Sequence, residues 1–526
     1  MNSQKHYVEI FPMIENLYAK FLEEVPLYFR NGFMDIDQKR GLSLHGPIDS
    51  YSEDIQTIRV GIISDSQGIQ DLMTILNHLN ENSVKNNPER PFTTLTFPGF
   101  VKAFRSRIIC RYSYNDTITN TEISNLITIS NPNIRIRKVA ELYGIKVSNI
   151  CDRIEIPDLI ICHKPTIIEE NFGKITRYGR QIISSKDRKR AEDIRKKVET
   201  HRILAPLDKE TEQLIQMIIK ADFRKILKSK IMKSGVPIQI LNQSTLEALN
   251  NQLKIPGIRY AHHKKQHPST IAWNLSVALY YKANHFPWRV GNLKRNSCYV
   301  GIAFFYDKTT HEKNMFASLA QIFSDTGEGM IVRGDSFYWD TKEKGRPQLS
   351  KDSAQDLLHK SLELYKRHND DQPPNKIIIH KTSKFADSEI EGFQYVLKEV
   401  PRYDFLTISK YHDYFFYRNG ENPVLRGTFI QLPSRSHLLF TSGYVPYLQC
   451  YNRPRIPIPL EFSEHYGDST AEELGRDIMA LTRLDWNTTR FSSDLPMTLK
   501  FAKRVGDILS SIPQKEPIQH QYRFFM

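Results

Sequence analysis

The stretch SCYVGIAFFYDK, residues 297–308, decides the fold of the second half of this chain. Tyr299, Val300, Ile302, Phe304 and Phe305 follow one another with no polar alternation, the pattern of a strand covered on both faces. Hairpin-like material follows through SLAQIFS and GMIVRGDSFYW. A helical pattern over SAQDLLHKSLELYKRH (353–368), a strand in KIIIHKT (376–382) and a helix near 389–400 come next. Two helical patterns, AEELGRDIMALTRL and MTLKFAKRVGDILSSI, come last. At the centre of the opening strand stands Ala303, a side chain that can do no chemistry.

Upstream, strands and helices alternate. IRVGIISD (58–65) precedes the helical GIQDLMTILNHLNEN, and DLIICHKP (158–165) reads as another buried strand ending at a turn. DFRKILKSKIMKSG (222–235) has helical spacing with Gly235 as its stop, VPIQIL follows as a strand, and TIAWNLSVALYYKAN (270–284) is again helical. This alternation predicts an open, doubly wound, Rossmann-like α/β domain over residues 45–290, preceded by an N-terminal segment, 1–44. Meandering strands, crossover helices and terminal helices predict an RNase H-like α/β domain over 291–526.

Composition narrows the class. With 526 residues, 40% hydrophobic and 11% aromatic, the chain has material for more than one packed core, which excludes a wholly disordered protein. No apolar run is long enough to span a bilayer, and acids stand in MNSQKHYVEIFPMIENLYAKFLEE where a signal peptide needs its apolar core. A soluble, cytoplasmic protein is expected. Five scattered cysteines (Cys110, Cys151, Cys162, Cys298 and Cys450) form no CxxC or Cys/His pattern and read as reduced thiols. The formal charge of +14, with basic residues outnumbering acids between Gly173 and Lys233 and the run KDRKRAEDIRKK at 186–197, favours a polyanionic partner.

Where could a phosphate bind? Arg224 and Lys228 stand one helical turn apart and share a face, so both can reach one anion. Gln239 lies on the strand that follows, and Lys282 closes a later helix whose other face is apolar. Two or three charge-assisted contacts of roughly 1.5–3 kcal/mol each hold a terminal phosphate firmly.

This set resembles the 5′-phosphate pocket of Argonaute MID domains. There a Tyr or Arg and a Lys lie one turn apart, GIPxQ follows, and a Lys ends a later helix. Here the matching residues are Arg224, Lys228, GVPIQ ending at Gln239, and Lys282. The aromatic often found at the Arg224 position is absent, which leaves Phe223 and Tyr281 as candidates for stacking on the first guide base. The resemblance also implies a Mg2+ ion at the guide phosphate, held by the C-terminal carboxylate at Met526 of the apolar terminus QYRFFM. DQKRGLSLHGPID, ENPVLRGTFI, TSGYVPYLQCYNRPRIPIPLEF and LTRLDWNTTRFSSDLPMTLKFAKRVGDIL extend the likeness over nearly the whole chain, to short prokaryotic Argonautes built of MID and PIWI domains alone.

In slicing members two divalent ions sit on carboxylates of the PIWI domain. The first of these, in GID, is here GIA with Ala303; the second, in HRDG, is here HKTS with Thr382; the last aligns with Lys503 in FAKR. Alanine, threonine and lysine cannot replace that ligand set, so the resemblance implies a PIWI domain without slicing. Asp307, Asp325, Glu328, Asp335 and Asp340 are the acids from which a rearranged site would have to be built. Lys381, Lys384 and Arg426 are candidates for contacts to the nucleic-acid backbone, by family position and residue type.

The implied function is that of a sensor. A short guide RNA is held at its 5′ end and pairs with invading single-stranded DNA, with sequence read by base pairing. A partner protein with an APAZ domain fused to an effector, a TIR or sirtuin-type NAD-consuming domain or a nuclease, is then activated and the infected cell stops. The other readings are an active guided nuclease with a rearranged metal site and a stand-alone nucleic-acid-binding protein.

Overall fold

The computed structural model describes residues 18–172, 221–258, 266–306, 315–324, 326–341, 345–411, 413, 415–432, 436–451 and 455–526. The basic run at 186–197 and the acids Asp307 and Asp325 lie outside the described residues.

In the first domain the strands Ser106–Cys110, Gln56–Ser64, Leu159–Lys164 and Ile238–Asn242 lie side by side in that order, all parallel. Every residue of Leu159–Lys164 is buried, because helices cover both faces of the sheet. On one face pack Leu72, Ile75 and Leu79 of the helix Ser66–Glu81, with Trp273 and Val277 of the helix Pro268–Lys282. On the other pack Val139, Tyr143 and Val147 of Pro132–Cys151 and Leu227 of Phe223–Lys230. This is the doubly wound sheet expected from the alternating pattern.

The second domain is built on a sheet with nine strands among the described residues. Gly329–Tyr338, Met315–Ser324 and Ser297–Tyr306 form an antiparallel meander, and Ser297–Tyr306 pairs in parallel with Lys376–Lys381, which pairs in parallel with Arg402–Lys410. The helices Lys351–Arg367 and Asp387–Val396 make the crossovers. This strand order and direction is the RNase H-like arrangement. The opening strand lies at its centre, with Tyr299 and Phe305 in the core that includes Val505 and Ile508, and Val300 and Ile302 in the core that includes Leu357 and Leu358.

The terminal pattern MTLKFAKRVGDILSSI forms two helices, Met497–Lys500 and Ala502–Leu509, with the junction at Phe501. A β-carbon on Gly301 would collide with the carbonyl of Thr498, so only glycine lets the strand approach the helix this closely. Thr498 also accepts a bond from Gln321 Nε2 at 2.9 Å, and its hydroxyl meets His380 Nδ1 at 2.9 Å.

From Tyr18 onward the N-terminal segment pairs with elements of both domains. Tyr18–Phe21 pairs antiparallel with Thr428–Gln431 and forms one edge of the large sheet. Leu27–Tyr28 pairs with both Met34–Asp35 and Arg289–Val290 where the first domain passes into the second. Between these strands, Glu24 accepts from Arg426 Nε at 2.7 Å and from Arg483 Nη1 at 3.2 Å. All five cysteines are free thiols, and no described helix is long and apolar enough to cross a membrane.

Candidate functional site

The helix Phe223–Lys230 starts where Asp222 caps it, its carboxylate accepting from the backbone of Lys225 at 3.0 Å. The helical repeat buries Phe223, Leu227 and Lys228 together and sets Arg224 one turn from Lys228. Lys225, on a neighbouring face, bonds Asp507 of the terminal helix at 3.0 Å, which holds the second domain against this helix.

The last residues of the chain close the space. His520 is fixed at the strand Gly329–Tyr338, its carbonyl accepting from Ile331 at 2.7 Å. Tyr522, Phe524, Phe525 and Met526 are then buried, and the backbone carbonyls of Phe524 and Phe525 face the basic helix. Arg224 Nη2 donates to the Phe525 carbonyl at 2.6 Å. Lys228 Nζ donates to the Phe524 carbonyl and to the Ile238 carbonyl, each at 3.0 Å. Lys282 Nζ donates to Gln239 Oε1 at 2.5 Å. The four residues singled out in the sequence, from three elements, and the terminal tail therefore meet in one place.

Lys228 and Lys282 are 1% and 2% exposed, which makes the electrostatics unusual for lysine. Burial, and then the neighbouring Lys282 and Arg224, push Lys228 well below the ordinary lysine range. Burial and Arg224 push Lys282 down to about 7. Burial, and next Arg504, lower Arg224. Each of these cationic groups donates to a neutral oxygen.

Such a donor set suits an anion. Mg2+ takes oxygen ligands and is commonly shared between one or two carboxylates and phosphate oxygens. Surrounded by cations, such an ion fits here only together with the oxygens of a bound phosphate. Arg504 and Arg523 were not legible as part of this site. They come from the terminal helix and tail, more than two hundred residues from Arg224 in sequence, and Arg523 is bonded to Asn284 beside Lys282.

The rings expected to stack on a first base require correction. Phe223 is buried edge-on against Tyr143, with ring centres 5.3 Å apart, and Tyr281 is buried 4.8 Å from Trp486. Both are core side chains and neither offers a free face. Two of the three backbone candidates are corrected for the same reason. Lys381 is buried and holds both oxygens of Glu389, at 2.6 and 2.5 Å, while Arg426 is buried against Glu24 and the carbonyl of Thr441. Their charges are spent inside the fold. Lys384 is different: its side chain is 77% exposed and rests on Glu464 at 3.0 Å.

Of the three residues that the resemblance aligns with slicing carboxylates, Ala303 is half-buried on the opening strand beside the pairing of Ile302 with Lys381. Thr382 is exposed just past the end of Lys376–Lys381, its carbonyl accepting from Arg346 at 3.0 Å. Lys503 lies in the first turn of Ala502–Leu509; its side chain is outside the described residues. Among the described residues no three His, Cys, Asp or Glu side chains are grouped as metal ligands. Of the acids considered for a rearranged site, Asp335 lies 3.7 Å from Lys360 and is largely exposed.

A cleft of about 430 Å3 lies toward the other end of the helix that carries Lys282. It is lined by Thr270 and Asn274 of that helix, Lys39 of the N-terminal segment, and Ser442, Arg490 and Phe491 of the second domain. All three parts of the chain thus contribute to one groove.

The fold and this junction define an Argonaute-like protein architecture, a MID domain followed by an RNase H-like PIWI domain. The sequence matches no protein-family model and no curated protein. Solved structures do match. Clostridium butyricum Argonaute bound to a guide DNA and a 19-mer target DNA superposes with a TM-score of 0.59 at 13% identity, over 95% of this chain and 54% of that one. Aquifex aeolicus Argonaute gives 0.53 at 15% identity, over 96% and 56%. Marinitoga piezophila Argonaute in complex with a 5′ OH guide RNA gives 0.53 at 12% identity, over 94% and 59%. The chain spans a little over half the length of these proteins.

Proposed function

We propose that this chain is the guide-loaded sensor of a prokaryotic defence system. The observation that supports it best is the convergence of Arg224 and Lys228 on the last residues of the second domain, with Lys282 and its partner Gln239 beside them. Three cationic groups bonded to neutral oxygens are suited to a terminal phosphate, which brings up to two negative charges and three acceptor oxygens. In this reading the 5′-phosphate of a short guide RNA occupies that place, with Mg2+ shared between the phosphate and the Met526 carboxylate. The guide then runs along the groove lined by Asn274, Lys39 and Arg490 and pairs with single-stranded target DNA.

The resemblance aligns Ala303, Thr382 and Lys503 with the carboxylates or histidine that hold two metal ions in slicing members, so in this reading the chain binds its target without cutting it. The output belongs to an APAZ-domain partner carrying an effector, an NAD-depleting TIR or sirtuin-type domain, whose activation stops the infected cell. Almost half of each of these proteins lies outside the part that this chain matches.

The test is to purify the chain from cells, alone and with its genomic neighbour, and to sequence the nucleic acid that accompanies it. Narrow-length RNAs that accept a 5′ label only after phosphatase, and that disappear in Arg224→Ala/Lys228→Ala/Lys282→Ala, are expected. Random fragments indifferent to the triple change would sink the reading. Magnesium-dependent cutting of a guide-matched target would instead establish the nuclease alternative.

A further inference from the structure

The phosphate pocket has a property that the reading above does not require but that its geometry implies. Buried cations are stable when an anion faces them, and otherwise the proton is given up. Arg224, Lys228 and Lys282 donate to the carbonyls of Phe525, Phe524 and Ile238 and to Gln239 Oε1, all uncharged. The other groups around them do not redress the balance. From the terminal helix come Arg504, a further cation, and Asp507, which is bonded to Lys225 at 3.0 Å. Asp222 is engaged as the helix cap. From the sheet comes Cys162, whose thiol burial pushes up to about 12 and so keeps neutral. From the tail come the Tyr522 hydroxyl, held neutral by burial, and Arg523. Glu328 lies toward Tyr281 and Arg523.

We propose that Lys282 takes up a proton when a terminal phosphate enters this pocket, so that the site binds its anion and a proton together. The inference rests on the phosphate-pocket reading and adds its regulation. Without an anion beside it Lys282 is partly an uncharged amine near neutrality, since burial and Arg224 bring it to about 7. A dianionic phosphate beside it reverses that effect, and the amine nitrogen takes a proton from the solvent to become the ammonium. The sign follows. Above about pH 7 binding must draw that proton from solution, so affinity falls by up to about tenfold per pH unit for one proton taken up. Below about pH 6 the phosphate itself gains a proton and loses charge, and affinity falls again. Binding is strongest between these limits. A pocket of fully charged cations would instead hold its affinity flat up to alkaline pH.

The experiment is calorimetric titration of the full chain with a short RNA carrying a 5′-phosphate and with the same RNA carrying a 5′-hydroxyl. It is run at about pH 8 in two buffers of different ionisation enthalpy, which counts the protons exchanged. Net proton uptake with the phosphorylated RNA, to which Lys282 contributes together with the equally buried Lys228, and none with the hydroxyl RNA, is expected. Lys282→Met should lower that uptake while Arg224 and Lys228 keep a preference for the phosphate. A phosphate preference with no proton uptake would overturn the linkage alone, and uptake unchanged in Lys282→Met would overturn its assignment to Lys282. Equal affinity for the two RNAs would overturn the linkage and the phosphate-pocket reading together.

Discussion

Lys282 and Lys381 are both buried lysines at the ends of regular elements, and the fold treats them in opposite ways. Lys381 ends a central strand and has Glu389 against it, with both carboxylate oxygens within 2.6 Å. Lys282 ends a helix and has an amide oxygen. The same division separates Arg426, neutralised by Glu24, from Arg224, which meets a backbone carbonyl. A buried cation with its carboxylate is part of the scaffold. A buried cation without one costs free energy until a ligand supplies the charge, and that cost marks a binding site. Residue type and family position do not distinguish the two cases; the partner does.

The comparison can be broken most decisively from the carboxylate side. Glu24→Ala leaves Arg426 and Arg483 buried without their anion, and Glu389→Ala does the same to Lys381. Each change should cost about 3–5 kcal/mol in chemical denaturation, the range for a buried pair that loses one partner. Glu24 should also show in acid. Burial would raise its carboxyl, but Arg426 and Arg483 outweigh that and hold it below the ordinary range. Its stabilisation is therefore complete above the unfolded carboxylate value near 4.3 and is lost as pH falls through its depressed folded value, a loss that Glu24→Gln should abolish. Acid unfolding of the two proteins at matched ionic strength measures this.

On the binding side, Lys228→Ala should leave the fold intact and remove about 1.5–3 kcal/mol of the preference for a 5′-phosphate over a 5′-hydroxyl, roughly 10- to 150-fold in relative affinity. Competition between the two ended RNAs would show it. A smaller effect is expected in the stability of the empty chain. Lys282 binds its proton less tightly folded, at about 7, than unfolded, at about 10.4. Between those values the unfolded chain holds more protons, so the contribution of Lys282 to stability rises with pH, by about 1.4 kcal/mol per unit at most. The difference between wild type and Lys282→Met, followed by denaturation from neutral to alkaline pH, isolates that slope. An identical slope in both proteins would mean that Lys282 is not the under-neutralised group. Least of all should follow from Lys384→Ala, whose exposed pair with Glu464 carries no measurable stability and whose effect should be confined to nucleic-acid affinity.

Much of the architecture was legible in the order of the residues. The runs around Val60, Ile160 and Ile302 are apolar without alternation because helices cover both faces of their sheets, and that pattern is written locally. The helices that carry Lys228 and Lys282 were equally plain, and so was the absence of a carboxylate at Ala303. Periodicity sets which side chains share a face, but it does not say what that face meets. Phe223 and Tyr281 sit one position before Arg224 and Lys282, yet they turn into the core against Tyr143 and Trp486. Arg426 looked available for nucleic acid until Glu24, more than four hundred residues away, was found beside it.

What the sequence by itself determined, then, are the elements, their order in two α/β domains, and which positions carry charge, since these depend on neighbours a few residues apart. Only the tertiary structure decided which of those charges are free to act. That depends on long-range pairing: the strand Tyr18–Phe21 at the edge of the large sheet, the tail Tyr522–Met526 folded back on the basic helix, and the carboxylates at Glu24 and Glu389 placed against three of the buried cations while Arg224, Lys228 and Lys282 meet neutral oxygens. Electrostatic energy is set by distance and burial, and neither is encoded in the spacing of residues along a chain.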